Sequence, residues 1–329
     1  MSDNKEEKNV STIIKNAFTI ANIAKVIVII FCRYIILKSV IIKNNYEEKE
    51  KDYPYFFCFA TMGKEENKYA KEVIDYYKSI GVDKFIIADN NNKNSEKISD
   101  IFQKEISDGL IDIIDIIGAM KNQMELYAEI YEQYKSKCGW ISFFDFDEFI
   151  EIKKGNKTLT LKEFLSPNYQ KCNVIIINWL VMSDNGLIKY ENKPVLERFT
   201  EYVYNSSTNR FVKSIIKGNI RFNPWANGIS CHRPEHHLRT CDSHGNRAKS
   251  FNDVLQPPQL DYAYVRHYFK SVQEYAERVI RGHPFGEIDF YFERVDNYFR
   301  HNALTKEKLI FFEKIFNQTF PRYHYIFNQ

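Results

Sequence analysis

Residues 139–149 read GWISFFDFDEF, an apolar run from Trp140 to Phe144 that ends in Asp145, Phe146, Asp147, Glu148 and Phe149. The run has the length and the β-forming residues of a buried strand. Asp145 and Asp147 are two apart, so in an extended backbone their carboxylates point to the same side. They stand where the strand ends, and in open α/β sheets ligands bind beyond the carboxyl ends of the strands. Carboxylates among phenylalanines are costly to bury unless a cation or strong donors compensate. Mn²⁺ or Mg²⁺ meets that need, because such ions take carboxylate oxygens and keep positions open for phosphate oxygens. A solvated acidic turn is the plainer alternative.

Upstream, YFFCFAT (55–61), KFIIAD (84–89) and LIDIIDII (110–117) are further strand candidates. Helical spacing separates them: Tyr69, Val73, Tyr76, Tyr77 and Ile80 over 65–80, with Gly81 at the stop, then 95–107 and 120–136. Strands alternating with helices predict an α/β fold with a Rossmann-like, mostly parallel sheet flanked by helices. Downstream, NVIIINWLVM (173–182), RFTEYVY (198–204), RFVKSII (210–216) and YAYVRHYF (262–269) read as extended, and 271–281 and 305–317 as helical. The expected organisation is an N-terminal helix and linker over 1–52, a first α/β half over 53–150, a mixed half over 151–285 and a helical segment over 286–329.

With 329 residues, 44% of them hydrophobic and 27% charged, the chain can bury a core and is not a disordered protein. Its 46 Lys+Arg against 43 Asp+Glu leave a formal charge of +3, which argues against a dedicated nucleic-acid binder. The cysteines at 32, 58, 138, 172, 231 and 241 are scattered and lack CxxC pairs, so reduced thiols in a cytoplasmic setting are expected. The start, MSDNKEEKNV, is unlike the basic start of a signal peptide.

Residues 12–43 are strongly apolar but broken by basic residues, with no charge-free stretch of about 18 residues. At about 100° per residue, Lys15, Asn22, Lys25, Arg33 and Lys43 share an arc of roughly 80°, with Lys38 outside it. An amphipathic helix lying on anionic lipid fits that stripe, at the inner face of a membrane. A long helix packed on a domain or on a second copy fits it too. The polar run NNYEEKEKD (44–52) then reads as a linker.

An Asp-x-Asp at a strand end serves two reaction classes. In nucleotide-sugar transfer the pair holds a metal on the donor's diphosphate. In dehalogenase-type phosphoryl transfer the first Asp is the nucleophile, on a first strand, with Thr or Val two residues past the second. Here that position is Phe149 and three βα units precede the motif, which favours the transferase. A carbohydrate-binding scaffold with a degenerate site is a third, non-catalytic reading.

From about 55 to 283 the chain resembles glycosyltransferase family 92 and the family 2-like group. The resemblance rests on Lys64-Glu65, Tyr76-Tyr77 with Gly81-Val82, Ile87 to Asn90, Gln123 with Tyr127, and Asp145 to Phe149. It continues through Trp179 to Gly186, Glu197 to Phe199, Lys213 to Ile215, His267-Tyr268, Lys270-Ser271, Glu274-Tyr275 and Arg281-Gly282. One departure is Met62-Gly63-Lys64-Glu65-Glu66 in place of the usual Lys-Asn-Glu form.

The resemblance implies a GT-A fold, a UDP-linked sugar donor, a divalent metal and transfer with inversion to a glycan or lipid-linked acceptor. Ala60, Thr61 and Asp89 would line the uridine pocket, with Lys64, Glu65 and Gln123 nearby. Asp145 and Asp147 would hold metal and ribose. Read from the residues alone, Lys270 is a cation suited to a leaving diphosphate, or a solvated side chain at a helix start. His267 would approach the metal, unless it is a satisfied core histidine. Inversion needs a base on the acceptor hydroxyl, for which Asp184, Asp242 and Glu235 are candidates. The Cys/His-rich stretch 231–244 reads as an active-site loop, with structural zinc or a plain surface loop as alternatives.

Overall fold

The computed structural model describes residues 52–117, 122–165, 169–220, 230–232, 238–248, 254–282 and 288–319. The expected helix over 12–43 and the candidate base Glu235 lie outside the described residues. The chain divides into two units, Met1–Asp52 and Tyr53–Gln329, and the sheet belongs to the second.

Its strands are β1 (Tyr55–Gly63), β2 (Lys84–Asp89), β3 (Ile111–Asp115), β4 (Cys138–Phe143), β5 (Glu148–Lys154), β6 (Lys157–Thr158), β7 (Val174–Met182), β8 (Val212–Lys217), β9 (Thr240–Cys241) and β10 (Ala263–Tyr268). They form one sheet in the order β3-β2-β1-β4-β8-β7-β10-β5-β6, with β9 beside β7. The first four strands are mutually parallel. β8 enters antiparallel between β4 and β7, and β10 runs parallel to β7. This is the α/β architecture expected, with one sheet running through both halves of the chain.

Side-chain alternation in β1 explains the layers. Phe57 and Phe59 face one side, where Tyr69, Val73 and Tyr77 of helix α1 (Asn67–Ser79) complete a core. Cys58 and Ala60 face the other, against Leu126, Tyr127, Ile130 and Tyr131 of α2 (Gln123–Tyr134). Because both faces are covered, the strands must be apolar throughout, which is what made them legible. A third cluster joins Phe269, Val272 and Tyr275 to Tyr298, Phe312 and Phe316, and ties α3 (Val272–Gly282) to α4 (Ile288–Phe299) and α5 (Lys306–Thr319).

Several expectations need correction. The helix over 95–107 is two short pieces, Ile98–Ile101 and Gln103–Ser107, parted at Phe102, and the first starts where the Asp89 carboxylate accepts the Ile98 N–H. Residues 198–204 form no strand. The Glu72 carboxylate accepts the N–H groups of Val195 and Leu196 and holds Val195–Arg198 as a helical turn, leaving only a Met182–Tyr202 bridge. Past the acidic motif the chain becomes strand β5, antiparallel to β10. Cys58 bonds to Cys138 and Cys172 to Cys241, each pair with Cα atoms 5.9 Å apart, and Cys231 is free and buried. These bonds close sequence separations of 80 and 69 residues, worth ~4 kcal/mol each on a chain-entropy account. They overturn the expectation of reduced thiols and remove the support it lent to a cytoplasmic location. Among the described residues no helix is long and apolar enough to cross a membrane.

Candidate active site

The acidic motif is a turn rather than an extended strand end. Asp145 N–H donates to Glu148 Oε2 at 2.9 Å, and Glu148 N–H donates to the Asp145 carbonyl at 3.1 Å. The Asp147 carbonyl accepts from Tyr268 N–H at 3.0 Å, which ties the turn to β10. Phe144 and Phe146 are buried beneath it and anchor the loop in the core. The turn thus places two carboxylates at the carboxyl edge of β4, where β8, β10 and α3 converge.

Each carboxylate has its own cation. Lys213 on β8 donates to Asp145 Oδ2 at 2.7 Å and lies 3.1 Å from Glu148 Oε2. Burial alone would strip the Lys213 ammonium of its proton, but Asp145, Cys231 and Glu148 hold its pKa well above the ordinary value. Burial pushes the Glu148 carboxyl up to about 7 against the pull of Lys213. Arg278 on α3 donates to Asp147 Oδ2, and His267 Nε2 stands 3.8 Å from the same oxygen. Burial opposes ionisation of Asp147, yet Arg278, His267, Lys270 and Lys213 keep its pKa well below the usual carboxylate range. Burial also drives His267 down to about 4, so its imidazole is neutral at pH 7. Trp179 of β7 stacks on that ring, with centroids 4.3 Å apart and planes 12° from parallel.

Asp145, Lys213, His267, Trp179 and Arg278 wall a cavity of about 510 Å³, together with Gln123, Thr208, Cys231, His232 and Tyr275 among others, and Asp147 lies behind Arg278 and His267. Gln123 opens α2, whose start is capped by the Asn122 side chain, and its amide is 3.4 Å from Asp145 Oδ1. The His232 Nδ1–Val212 carbonyl contact of 2.6 Å fixes that ring on the wall.

Two buried atoms bear on whether a cation fits. Asp147 Oδ1 and His267 Nδ1 have no partner among the described residues, and a buried polar atom left so is expensive. The 3.8 Å between His267 Nε2 and Asp147 Oδ2 is wider than the ~3 Å between neighbouring ligands of an octahedral ion, so an ion shared by the two side chains would need one of them to shift slightly. Among the described residues no group of three or more His, Cys, Asp or Glu is set to hold a metal. A divalent ion fits here only as a two-ligand site completed by other oxygens, which is how Mg²⁺ and Mn²⁺ sit on phosphates.

The remaining expected residues fall in different places. Ala60 and Thr61 are fully buried in β1. The Asp89 carboxylate accepts Asn91 N–H at 3.0 Å and Ile98 N–H at 2.8 Å, and so shapes the loop after β2. Glu65, at φ 56°, braces that loop by accepting from Ser95 Oγ at 2.7 Å and from Asn92 N–H at 3.2 Å. Lys64 is half-buried between β1 and α1. Lys270, at φ 67°, lies with Nζ 3.5 Å from the Tyr69 ring centre and 3.4 Å from Glu66.

Two base candidates are engaged elsewhere. Asp184 accepts from Tyr298, Lys308 and Gly186 N–H and fastens the C-terminal helices. Asp242 accepts from His244 N–H, Asn246 N–H and Gln259, so it is the hub of a turn. Neither lines the cavity. Cys241 is disulfide-bonded, so it is no zinc thiolate. The sequence signal for Lys213 is a cation between Val212 and Ser214-Ile215-Ile216 in the strand segment RFVKSII, where burial demands a counter-ion. Arg278 carries no such signal in an amphipathic helix.

The sequence model of glycosyltransferase family 92 matches residues 53–268. The chain belongs to glycosyltransferase family 92. A family 92 protein of Ricinus communis is 29% identical over 103 residues, 31% of this chain and 18% of that relative. One of Oryza sativa subsp. japonica is 27% identical over 114 residues, 31% of this chain and 17% of that one. The family 92 chain thus spans less than a fifth of each curated relative. Among solved structures, S. aureus TarS (residues 1–349) is 12% identical, with 81% of this chain and 72% of that one covered and a TM-score of 0.35. The same protein in complex with UDP-GlcNAc covers 80% of each chain at 12% identity and a TM-score of 0.30.

Proposed function

We propose that the chain transfers a sugar from a nucleotide-sugar donor, UDP-linked, to a glycan or lipid-linked acceptor with the aid of Mn²⁺ or Mg²⁺. The observation that carries this reading is Asp147: a buried carboxylate with one orphaned oxygen, beside a neutral His267, at the sheet edge where this fold class binds ligands. Asp147 and His267 would hold the ion, and when bound it would supply positive charge to the departing diphosphate.

The chain's own residues account for the rest. Lys213 stays protonated next to Asp145 and keeps that carboxylate aimed at the cavity. Gln123 holds it from the other side, and Trp179 fixes the plane of the His267 ring. With these groups already ordered, little reorganisation is needed as charge develops. Inversion requires a base on the acceptor side. Because Asp184 and Asp242 are held in internal contacts, Glu235 is the carboxylate we assign to it.

Calorimetric titration of UDP with and without Mn²⁺ tests the reading. Metal-dependent nucleotide binding is expected, and its absence for UDP and GDP alike would sink it. A Glu235→Gln variant that retains donor binding and transfers sugar at full rate would remove Glu235 as the base. Residues 12–43 we assign to peripheral contact with an anionic membrane. Deletion of residues 1–45 should release the protein from anionic vesicles and leave UDP binding intact; retention on the vesicles would refute the contact.

A further inference from the structure

Asp147 already has a cation, and that cation is removable. The Arg278 side chain is 40% exposed whereas that of Asp147 is 6% exposed, so the guanidinium can leave on its own flexible stem while the carboxylate stays in place. The helix does not need Arg278 for its own anchoring. Glu274, one turn earlier and on the same face, takes Arg198 through two hydrogen bonds of 2.7 and 2.9 Å, Tyr69 at 2.6 Å and Ser271 at 2.5 Å. Arg278 is therefore held in the site by Asp147 rather than by its own helix, and it lines the cavity.

A guanidinium on Oδ2 and a divalent ion on the same carboxylate share one negative charge and repel each other at close range. A diphosphate reverses the balance. It adds negative charge beside the ion and offers the planar guanidinium a two-pronged partner. We propose that Arg278 guards Asp147 against divalent cations until a nucleoside diphosphate enters, and then moves from Asp147 to the phosphates. Metal and nucleotide consequently bind together rather than independently. The inference rests on the nucleotide-sugar reading of the cavity. It includes no covalent step: Asp147 exchanges a monovalent counter-ion for a divalent one, and the guanidinium gains phosphate oxygens.

Paramagnetic resonance of free Mn²⁺, titrated against the full chain with and without UDP, tests the guard. Wild type should bind Mn²⁺ about tenfold or more weakly when UDP is absent. Arg278→Gln should bind Mn²⁺ without UDP about tenfold more tightly than wild type, whereas Arg278→Lys, which keeps the charge, should stay closed. Equal Mn²⁺ affinity of wild type with and without UDP overturns the guard, as does equal UDP-free affinity of wild type and Arg278→Gln. Failure of wild type to bind UDP at any Mn²⁺ concentration overturns instead the nucleotide-sugar reading, and the guard with it. Circular dichroism reports whether each variant folds. Should Arg278→Gln not fold, Arg278→Met, which keeps the apolar stem and removes the charge, is read in the same way: UDP-free Mn²⁺ affinity equal to that of wild type overturns the guard.

Discussion

Two charge networks meet on helix α3, and they are built differently. At its first turn Glu274 receives Arg198, Tyr69 and Ser271, so its two oxygens are fully used, and the Arg198–Glu274 pair is almost sealed from water. One turn later Arg278 meets Asp147, whose second oxygen is buried without a partner among the described residues. The first network closes on itself and holds the helix to the domain. The second leaves a binding capacity unfilled, with a half-exposed cation that can depart. Satisfied buried polar groups stabilise, whereas a buried carboxylate oxygen without a partner is costly, and that is the opening the proposed cation would fill.

That contrast can be broken from either side. Asp147→Ala has the largest expected effect, a loss of transfer of about 10³–10⁴-fold, or ~4–5.5 kcal/mol, with little loss of stability. Sugar transfer measured beside a thermal melt checks it; undiminished transfer would remove Asp147 from the chemistry. Glu274→Gln should do the opposite and destabilise the fold by about 3–5 kcal/mol, because Arg198 is left buried without its counter-charge. Urea unfolding reads this directly, and a loss below about 1 kcal/mol would make the closed network dispensable.

The same carboxyl gives an acid signature. Burial would raise the pKa of Glu274, but Arg198, Ser271 and Tyr69 pull it from 4.5 to about 2. A group with a depressed folded pKa contributes stability above its unfolded pKa, so this contribution is present above pH 4.5 and is lost as pH falls through about 2. Wild type should lose ~3 kcal/mol across that window from this group, and Glu274→Gln should lack that part of the slope. The smallest effect belongs to Asp89→Asn. Its carboxylate accepts two loop N–H groups, of which an amide oxygen can still accept one, so about 1 kcal/mol should be lost with UDP affinity falling in step with loop order.

Much of the first half was legible in the residues. KFIIAD became β2 over the same six positions, and NVIIINWLVM lost only its first residue. Strands covered on both faces cannot afford polar interruptions, so they stand out as continuous apolar runs. RFTEYVY failed because its first residue, Arg198, closes the helical turn Val195–Arg198, which Glu72, more than a hundred residues away, holds through the N–H groups of Val195 and Leu196. The motif carboxylates were identified at once, but their partners Lys213 and Arg278 come from β8 and α3. Asp184 reads as a base in a polar loop, whereas in the fold it accepts from Lys308 and Tyr298.

By itself the sequence determined the α/β alternation, the strand that ends in Asp145 and Asp147, and the family to which they belong. Those are local or ordered patterns, set by which residues can line a buried strand or stand at its end. Only the tertiary structure decided which cation each carboxylate holds, which cysteines pair and which acids are withdrawn from the cavity. Such pairings join positions 68 to 131 residues apart, across which no periodicity survives and where only the folded packing brings charges within reach.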